Sequence, residues 1–253
     1  MSLASLPTSF FGGLSGLQLP LPKYQFPPPY EDASRLTYYS TFFNSIEINS
    51  SFYKVPRAIT VAKWAGSVPA NFKFTFKLWK SITHVKDLMF DDSDVEVFLN
   101  AIAPAINKKA CLLIQFPPGL GRESIIQLQK LLVCIRERDQ HNWNIAVEFR
   151  NSSWYNKDLY RLLEMYNASL VIQDIPKSST PLIESSNKLV YVRFHGPTGN
   201  YRESYTESFL SEYATYVSEW IEENKTVYVY FNNTAGDAFN NLRTLNKLLA
   251  QMV

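Results

Sequence analysis

The chain is poor in the residues that build cross-links and metal centres: its 253 residues include two cysteines and three histidines. Two thiols cannot form a disulfide framework. Cys111 opens an apolar run and Cys134 falls within a helical pattern, so both read as buried, unpaired thiols of a reducing compartment. No His-x-x-x-His pair or Cys cluster occurs, which predicts no metal site, and no cofactor is implied. A Gly-x-Gly-x-x-Gly loop is missing after the first predicted strand, which disfavours an open dinucleotide-binding sheet. No segment approaches the roughly 18 apolar residues of a membrane span. No basic residue precedes Lys23, so a secretion signal is not expected and the protein is expected in the cytoplasm. A net charge of +2 is too small to demand a nucleic acid or a membrane, though it leaves room for a local cationic pocket.

What the chain does contain is core. Hydrophobic residues make up 46% and charged residues 19%, the balance of a globular protein. Aromatics reach 15%, with 17 Phe and 15 Tyr, so ring packing must supply much of the interior. Short apolar segments alternate with helical patterns. Strands are predicted at 10–15, 45–49, 72–78, 111–116, 144–150, 169–173, 189–195 and 226–232. Helices are predicted at 31–41, 58–65, 94–106, 122–138, 157–166, 207–223 and 235–251, with Ser93 capping the third and Glu96 completing a capping box. The sixth connection, 174–188, reads as loop. Eight strands joined by crossovers predict an α/β fold, one (β/α)8 barrel of parallel strands over residues 1–253.

Alternation along each strand assigns faces. Phe72, Phe74 and Phe76 share the helix-facing side, leaving Thr75 and Lys77 inside the barrel. By the same logic Glu47 and Asn49, Glu148 and Arg150, and Arg193 and His195 point inward. Gln115, Asp174 and Asn232 likewise fall at carboxyl-terminal strand ends, the rim where barrels of this kind build their sites. Lys77, Arg150 and Arg193 are expected to face Glu47, Glu148 and Asp174. Such a gathering forms either a compensated network or a ligand site.

At these same residues the sequence resembles the YecE-like family, TIM-barrel proteins of unknown function. The matching segments are Phe43 through Tyr53, Phe74-Thr75-Phe76-Lys77, Ile82-Thr83-His84 and Gln115-Phe116-Pro117-Pro118. They continue with Glu148-Phe149-Arg150 and Ser153-Trp154, Arg193-Phe194-His195-Gly196, and Tyr230 through Thr234. Two places depart from the family pattern: Leu17 stands where a Trp is usual, and Asn151 where His often follows the Glu-Phe-Arg segment. The resemblance implies the fold and the position of the pocket, and no reaction.

Chemically, Glu47 and Glu148 are candidates for a general acid and base, and His195 for proton transfer or for orienting a loop by hydrogen bonds. Lys77, Arg150 and Arg193 suit a phosphate or carboxylate. His84 and the segment from Tyr201 to Tyr205 are expected to close over it, while His141 lies far away. Three readings stand: a metal-independent enzyme acting on an anionic substrate, a non-catalytic binder of nucleic acid or phosphorylated metabolites, and a purely structural charge network. A small-molecule anion is the expected partner, with nucleic acid as the alternative. The oligomeric state is open.

Overall fold

A computed structural model describes residues 6–182 and 187–252. Eight strands run in chain order: β1 (Phe10–Leu14), β2 (Ser45–Ile48), β3 (Lys73–Lys77), β4 (Lys109–Gln115), β5 (Asn144–Glu148), β6 (Ala168–Gln173), β7 (Leu189–Phe194) and β8 (Thr226–Phe231). All pair in parallel in the spatial order β1-β8-β7-β6-β5-β4-β3-β2, and β1 meets β2 again to complete the circle. The helices are α1 (Arg35–Tyr39), α2 (Ser50–Tyr53), α3 (Ala58–Gly66), α4 (Lys80–Thr83), α5 (Asp92–Ile102), α6 (Ile125–Arg138), α7 (Lys157–Met165), α8 (Glu207–Glu222) and α9 (Ala238–Leu249).

Several predicted helices have different bounds. The first shrinks to α1, capped by the Ser34 hydroxyl accepting from Thr37 N. The third starts earlier, because Asp91 rather than Ser93 is its cap, with the Asp91 carboxylate accepting from Ser93 N. It also ends earlier: Pro104 lies just beyond Ile102, where the chain tightens into a 3-10 turn. The short helices α2 and α4, which carry part of the rim, were not predicted. The sixth connection contains no helix among its described residues; 183–186 lie outside them. A depression of about 850 Å³ occupies that side of the ring, over Leu170, Ile172 and Val190.

The period-two face assignment holds. Outside the strands, Phe74, Phe76, Ile114, Val147, Phe149, Val192 and Phe194 join the helices in one large core. Inside, Cys111, Leu113, Ala146, Val171, Tyr191, Tyr228 and Tyr230 form a separate cluster. Large rings fit there because their neighbours are small: a Cβ on Gly13 would meet the Tyr230 ring at 2.8 Å and Ser45 O at 2.5 Å. Both cysteines are buried and free, Cys111 inside the barrel and Cys134 on α6. Burial pushes the Cys111 thiol well up, and that of Cys134 up to about 11.

The seam between β1 and β2 is closed largely by side chains. One backbone bridge joins Ser15 to Glu47, with Gly16 N donating to Glu47 O at 2.9 Å. Below it Asn44 accepts from Gly12 N at 2.9 Å and donates to Phe10 O at 2.8 Å. The Tyr39 hydroxyl accepts from Leu14 N at 2.8 Å and donates to Ser45 O at 2.9 Å. Burial raises the Tyr39 pKa and keeps it a donor. Tyr39→Phe would strand a buried N–H and a buried carbonyl, and is expected to cost about 1–3 kcal/mol in urea denaturation. Tyr38→Phe on the same helix, whose ring packs against Phe26 and Phe42, should change stability by about 0.5 kcal/mol or less.

Candidate functional site

The upper layer of the barrel interior is organised by Arg193, which β7 directs inward between Tyr191 and His195. Its guanidinium is fully buried, as are Glu47 on β2 and Glu148 on β5. Arg193 Nε donates to Glu47 Oε2 at 3.0 Å and Nη2 to Oε1 at 2.7 Å, a bidentate fork. Nη1 donates to Glu148 Oε2 at 2.5 Å and lies 3.3 Å from His195 Nε2. Nη2 also donates to Ser15 Oγ at 3.0 Å. All five N–H groups therefore have partners. Glu47 is saturated from its own side as well: Ser15 Oγ donates to Oε1, and Tyr191 Oη donates to Oε2 at 2.7 Å.

Glu148 Oε1 is held by Arg150, whose side chain is 9% exposed. Burial alone would raise the Glu148 carboxyl, but the Arg150 and Arg193 charges overcome it and hold the group far below the usual carboxylate range. Arg150 Nη2 lies 2.9 Å from His195 Nε2. A guanidinium only donates, so Nε2 is the acceptor and the ring proton sits on Nδ1, 3.1 Å from Asp174 Oδ1. Burial lowers the His195 pKa, in accord with this neutral tautomer. Asp174 also accepts from His195 N at 2.8 Å and from the Tyr205 hydroxyl.

Above this layer lies the open mouth. Lys77, at the end of β3, is paired with no carboxylate among the described residues. Among the described residues its partner is the face of Phe52 on α2, 4.3 Å from Nζ. Burial and the Arg193 charge lower its pKa to about 8, against a smaller opposing pull from Glu148 and Glu47. The exposed His84 ring packs edge-on to the same Phe52 at 4.9 Å, its Nδ1 2.9 Å from Thr83 Oγ1. Desolvation and the charges of Lys77, Arg150 and Lys80 lower it to about 4, so it is neutral at physiological pH. Asn49 Nδ2 donates to Ser15 Oγ at 2.9 Å, while its buried Oδ1 has no partner among the described residues. Gln115 Nε2 donates to Phe116 O at 2.6 Å, and Asn232 borders the mouth at the end of β8.

The expected residues thus gather at one end, but in two tiers. Arg193 has no N–H left for a ligand, Glu47 and Glu148 turn their oxygens toward cations and hydroxyls, and the His195 lone pair meets Arg150. These four belong to the lower, buried tier, where their polar atoms pair with one another and with Arg150, Asp174, Ser15 and Tyr191. The 201–205 segment is likewise tied down: Tyr201 N donates to His195 O at 2.7 Å, and Asn233 Nδ2 to Glu203 O at 2.9 Å. Gly196, at φ +97°, lets Arg202 approach its backbone, where any Cβ would strike the Arg202 carbonyl. Tyr205 is buried, accepting from Gly196 N at 2.5 Å, so only Tyr201, which accepts from Arg150 Nη1 at 3.1 Å, reaches the mouth. Ser15, Phe52 and Tyr191 were missed as site residues. Tyr191 was accessible to the alternation rule, being two positions before Arg193; Phe52 was not, because it stands on an unpredicted helix. Among the described residues no group of three or more His, Cys, Asp or Glu side chains could hold a metal ion, and no helix is long and apolar enough to cross a membrane.

Comparison with known proteins places this architecture. A family model described as "Protein of unknown function DUF72" matches residues 13–253. The chain is 29% identical over 258 residues to the UPF0759 protein YunF of Bacillus subtilis, covering 88% of this chain and 89% of that one. It is 26% identical over 119 residues to the UPF0759 protein YecE of Escherichia coli K12, covering 47% of this chain and 42% of that one. A crystal structure of a DUF72 family protein from Enterococcus faecalis V583 matches with a TM-score of 0.79 at 26% identity, over 95% of each chain. By sequence along almost its whole length and by its closed barrel, the chain belongs to the DUF72, or YecE-like, family.

Proposed function

We propose that the carboxyl-terminal mouth takes a small anionic substrate bearing a phosphate or carboxylate group, and that Lys77 both attracts it and exchanges a proton with it. The observation that carries this reading is the Lys77 ammonium, left without a carboxylate while Arg150, Arg193, Glu47, Glu148 and Asp174 all pair with one another or with His195. A lone cation at a low-dielectric wall binds an anion more strongly than one in bulk water. Its pKa of about 8 suits acid–base work near neutral pH without a metal. Beside it, Asn49 Oδ1 is a buried acceptor with no partner among the described residues. Gln115, Asn232 and the neutral His84 ring offer further polar contacts, and Arg150 with Tyr201 bounds the far side. Glu47, Glu148, Asp174, Arg193, His195 and Tyr205 act as positioning residues that fix Arg150 and the strand ends. A single half-buried lysine without a carboxylate partner among the described residues favours a small metabolite over nucleic acid, which engages several phosphates at once.

Calorimetry with inorganic phosphate and a simple phosphate monoester tests this. Lys77→Met is expected to weaken binding at least about tenfold, since a charge-assisted contact is worth roughly 1.5–3 kcal/mol. In the wild type, affinity should fall as pH rises through about 8, with proton uptake on binding just above it. Absence of anion binding, or equal binding by Lys77→Met, would sink the proposal.

Stability provides a second check with a defined sign. The folded Lys77 pKa, about 8, lies below its ordinary value of 10.5. The unfolded chain therefore binds more protons between those values, and the penalty is full below pH 8 and relieved as pH rises to 10.5. Lys77→Met should thus be more stable than wild type at neutral pH, by about 1–3 kcal/mol, with the difference shrinking across that window in thermal melts. Arg193→Met should behave oppositely, losing about 3–5 kcal/mol because it strands two buried carboxylates.

A further inference from the structure

We infer that the amino-terminal end of the barrel, opposite the mouth, holds a second anion site, for a small ligand carrying a phosphate or diphosphate group. The inference is independent of the function proposed for the mouth. A depression of about 660 Å³ opens there. Three lysines line it, Lys73, Lys109 and Lys188, with the side-chain amides of Asn107, Asn144 and Asn167, and no Asp or Glu is among its described lining residues. In most barrels this face serves stability alone, and a stability role does not call for gathering three lysines around one depression.

The arrangement follows from the strands. Lys73 is the first residue of β3 and two positions before the inward-facing Thr75, so it enters the barrel from below. Its Nζ lies 5.9 Å from the centre of the Phe11 ring, which stacks on Tyr228 at 5.0 Å and 17°. These rings close the bottom of the interior and give the depression an apolar floor, where a charge acts more strongly than in open water. Lys109, at the start of β4, is pinned there: it donates to Asn142 O at 2.9 Å and to His141 O. Lys108 beside it is pinned as well, donating to Val68 O at 2.6 Å and to Pro69 O at 2.5 Å. Those four carbonyls fix the positions of two ammonium groups without neutralising them. Burial and Lys109 lower the Lys73 pKa, and burial and Lys73 lower that of Lys108. Lys73 and the exposed Lys188 supply the remaining charges, and the amides supply neutral donors. A multiply charged oxyanion relieves the mutual repulsion of the lysines, whereas a singly charged one relieves less of it.

Pyrophosphate is the probe, titrated by calorimetry and by amide shifts in NMR into the wild-type chain and three variants: Lys73→Met, Lys188→Met and Lys77→Met. The wild type is expected to shift amides around Phe11, Lys73 and Thr226, with pyrophosphate binding at least about tenfold more tightly than inorganic phosphate. Lys73→Met and Lys188→Met should each weaken that binding several-fold or more and leave phosphate binding at the mouth unchanged. Lys77→Met should do the reverse, so failure of one site is distinguishable from failure of the other. Lys188 is exposed, and its replacement is expected to leave the thermal midpoint unaltered, which keeps the test open if Lys73→Met folds poorly. Amide shifts confined to the mouth, or pyrophosphate binding unaffected by both Lys73→Met and Lys188→Met, would overturn the inference.

Discussion

One buried guanidinium sets the geometry of this molecule. Arg193 on β7 reaches across the barrel to Glu47 on β2, Glu148 on β5 and Ser15 at the end of β1. A charge inside a barrel is tolerated only when its partners are already in place, because desolvation outweighs any single contact. Four strands must therefore hold their register together. A slip of one residue in any of them would turn its polar side chain toward the helices, leaving the guanidinium short of a partner. The cost of this arrangement is offset by the aromatic packing on both sides of the sheet, with Tyr191 and Tyr230 beneath it and Phe149 and Phe194 outside it.

From that centre, order spreads outward in a definite sequence. Glu148 grips Arg150, Arg150 meets the His195 lone pair, and His195 leans on Asp174, which takes the Tyr205 hydroxyl. Each group is used on both sides, and Glu47, Glu148, Arg193 and His195 are fully buried. Lys77, by contrast, rests against the Phe52 ring face and has no ion pair among the described residues. A saturated layer thus lies beneath a lysine that, among the described residues, has no carboxylate partner.

Much of this was legible in the sequence. Alternation in Phe72 through Lys77 and in Val192 through His195 gave the correct faces, and strand number and spacing gave the barrel. What the one-dimensional pattern lacks is distance across the barrel. It placed Arg193 and Arg150 as equals on the rim, although Arg193 reaches inward to Glu47 while Arg150 sits one tier higher. Helix ends were misread where a local cap competed, as at Asp91 and Ser93. Phe52 was hidden because four residues are too few for a periodic signal. The gathering of Lys73, Lys109 and Lys188 left no one-dimensional signal, since these lysines come from strand starts far apart in the chain and meet only after closure.

The seam between β1 and β2 bears on how the chain is made. Phe10–Leu14 pairs along its whole length with Thr226–Phe231 and touches β2 through a single backbone bridge and the side chains of Asn44 and Tyr39. β1 thus waits for β8 before its ladder can form. Until β8 docks, the sheet is an open arc with one bare edge on either flank, and ring closure rests on contacts between its two most distant strands in sequence.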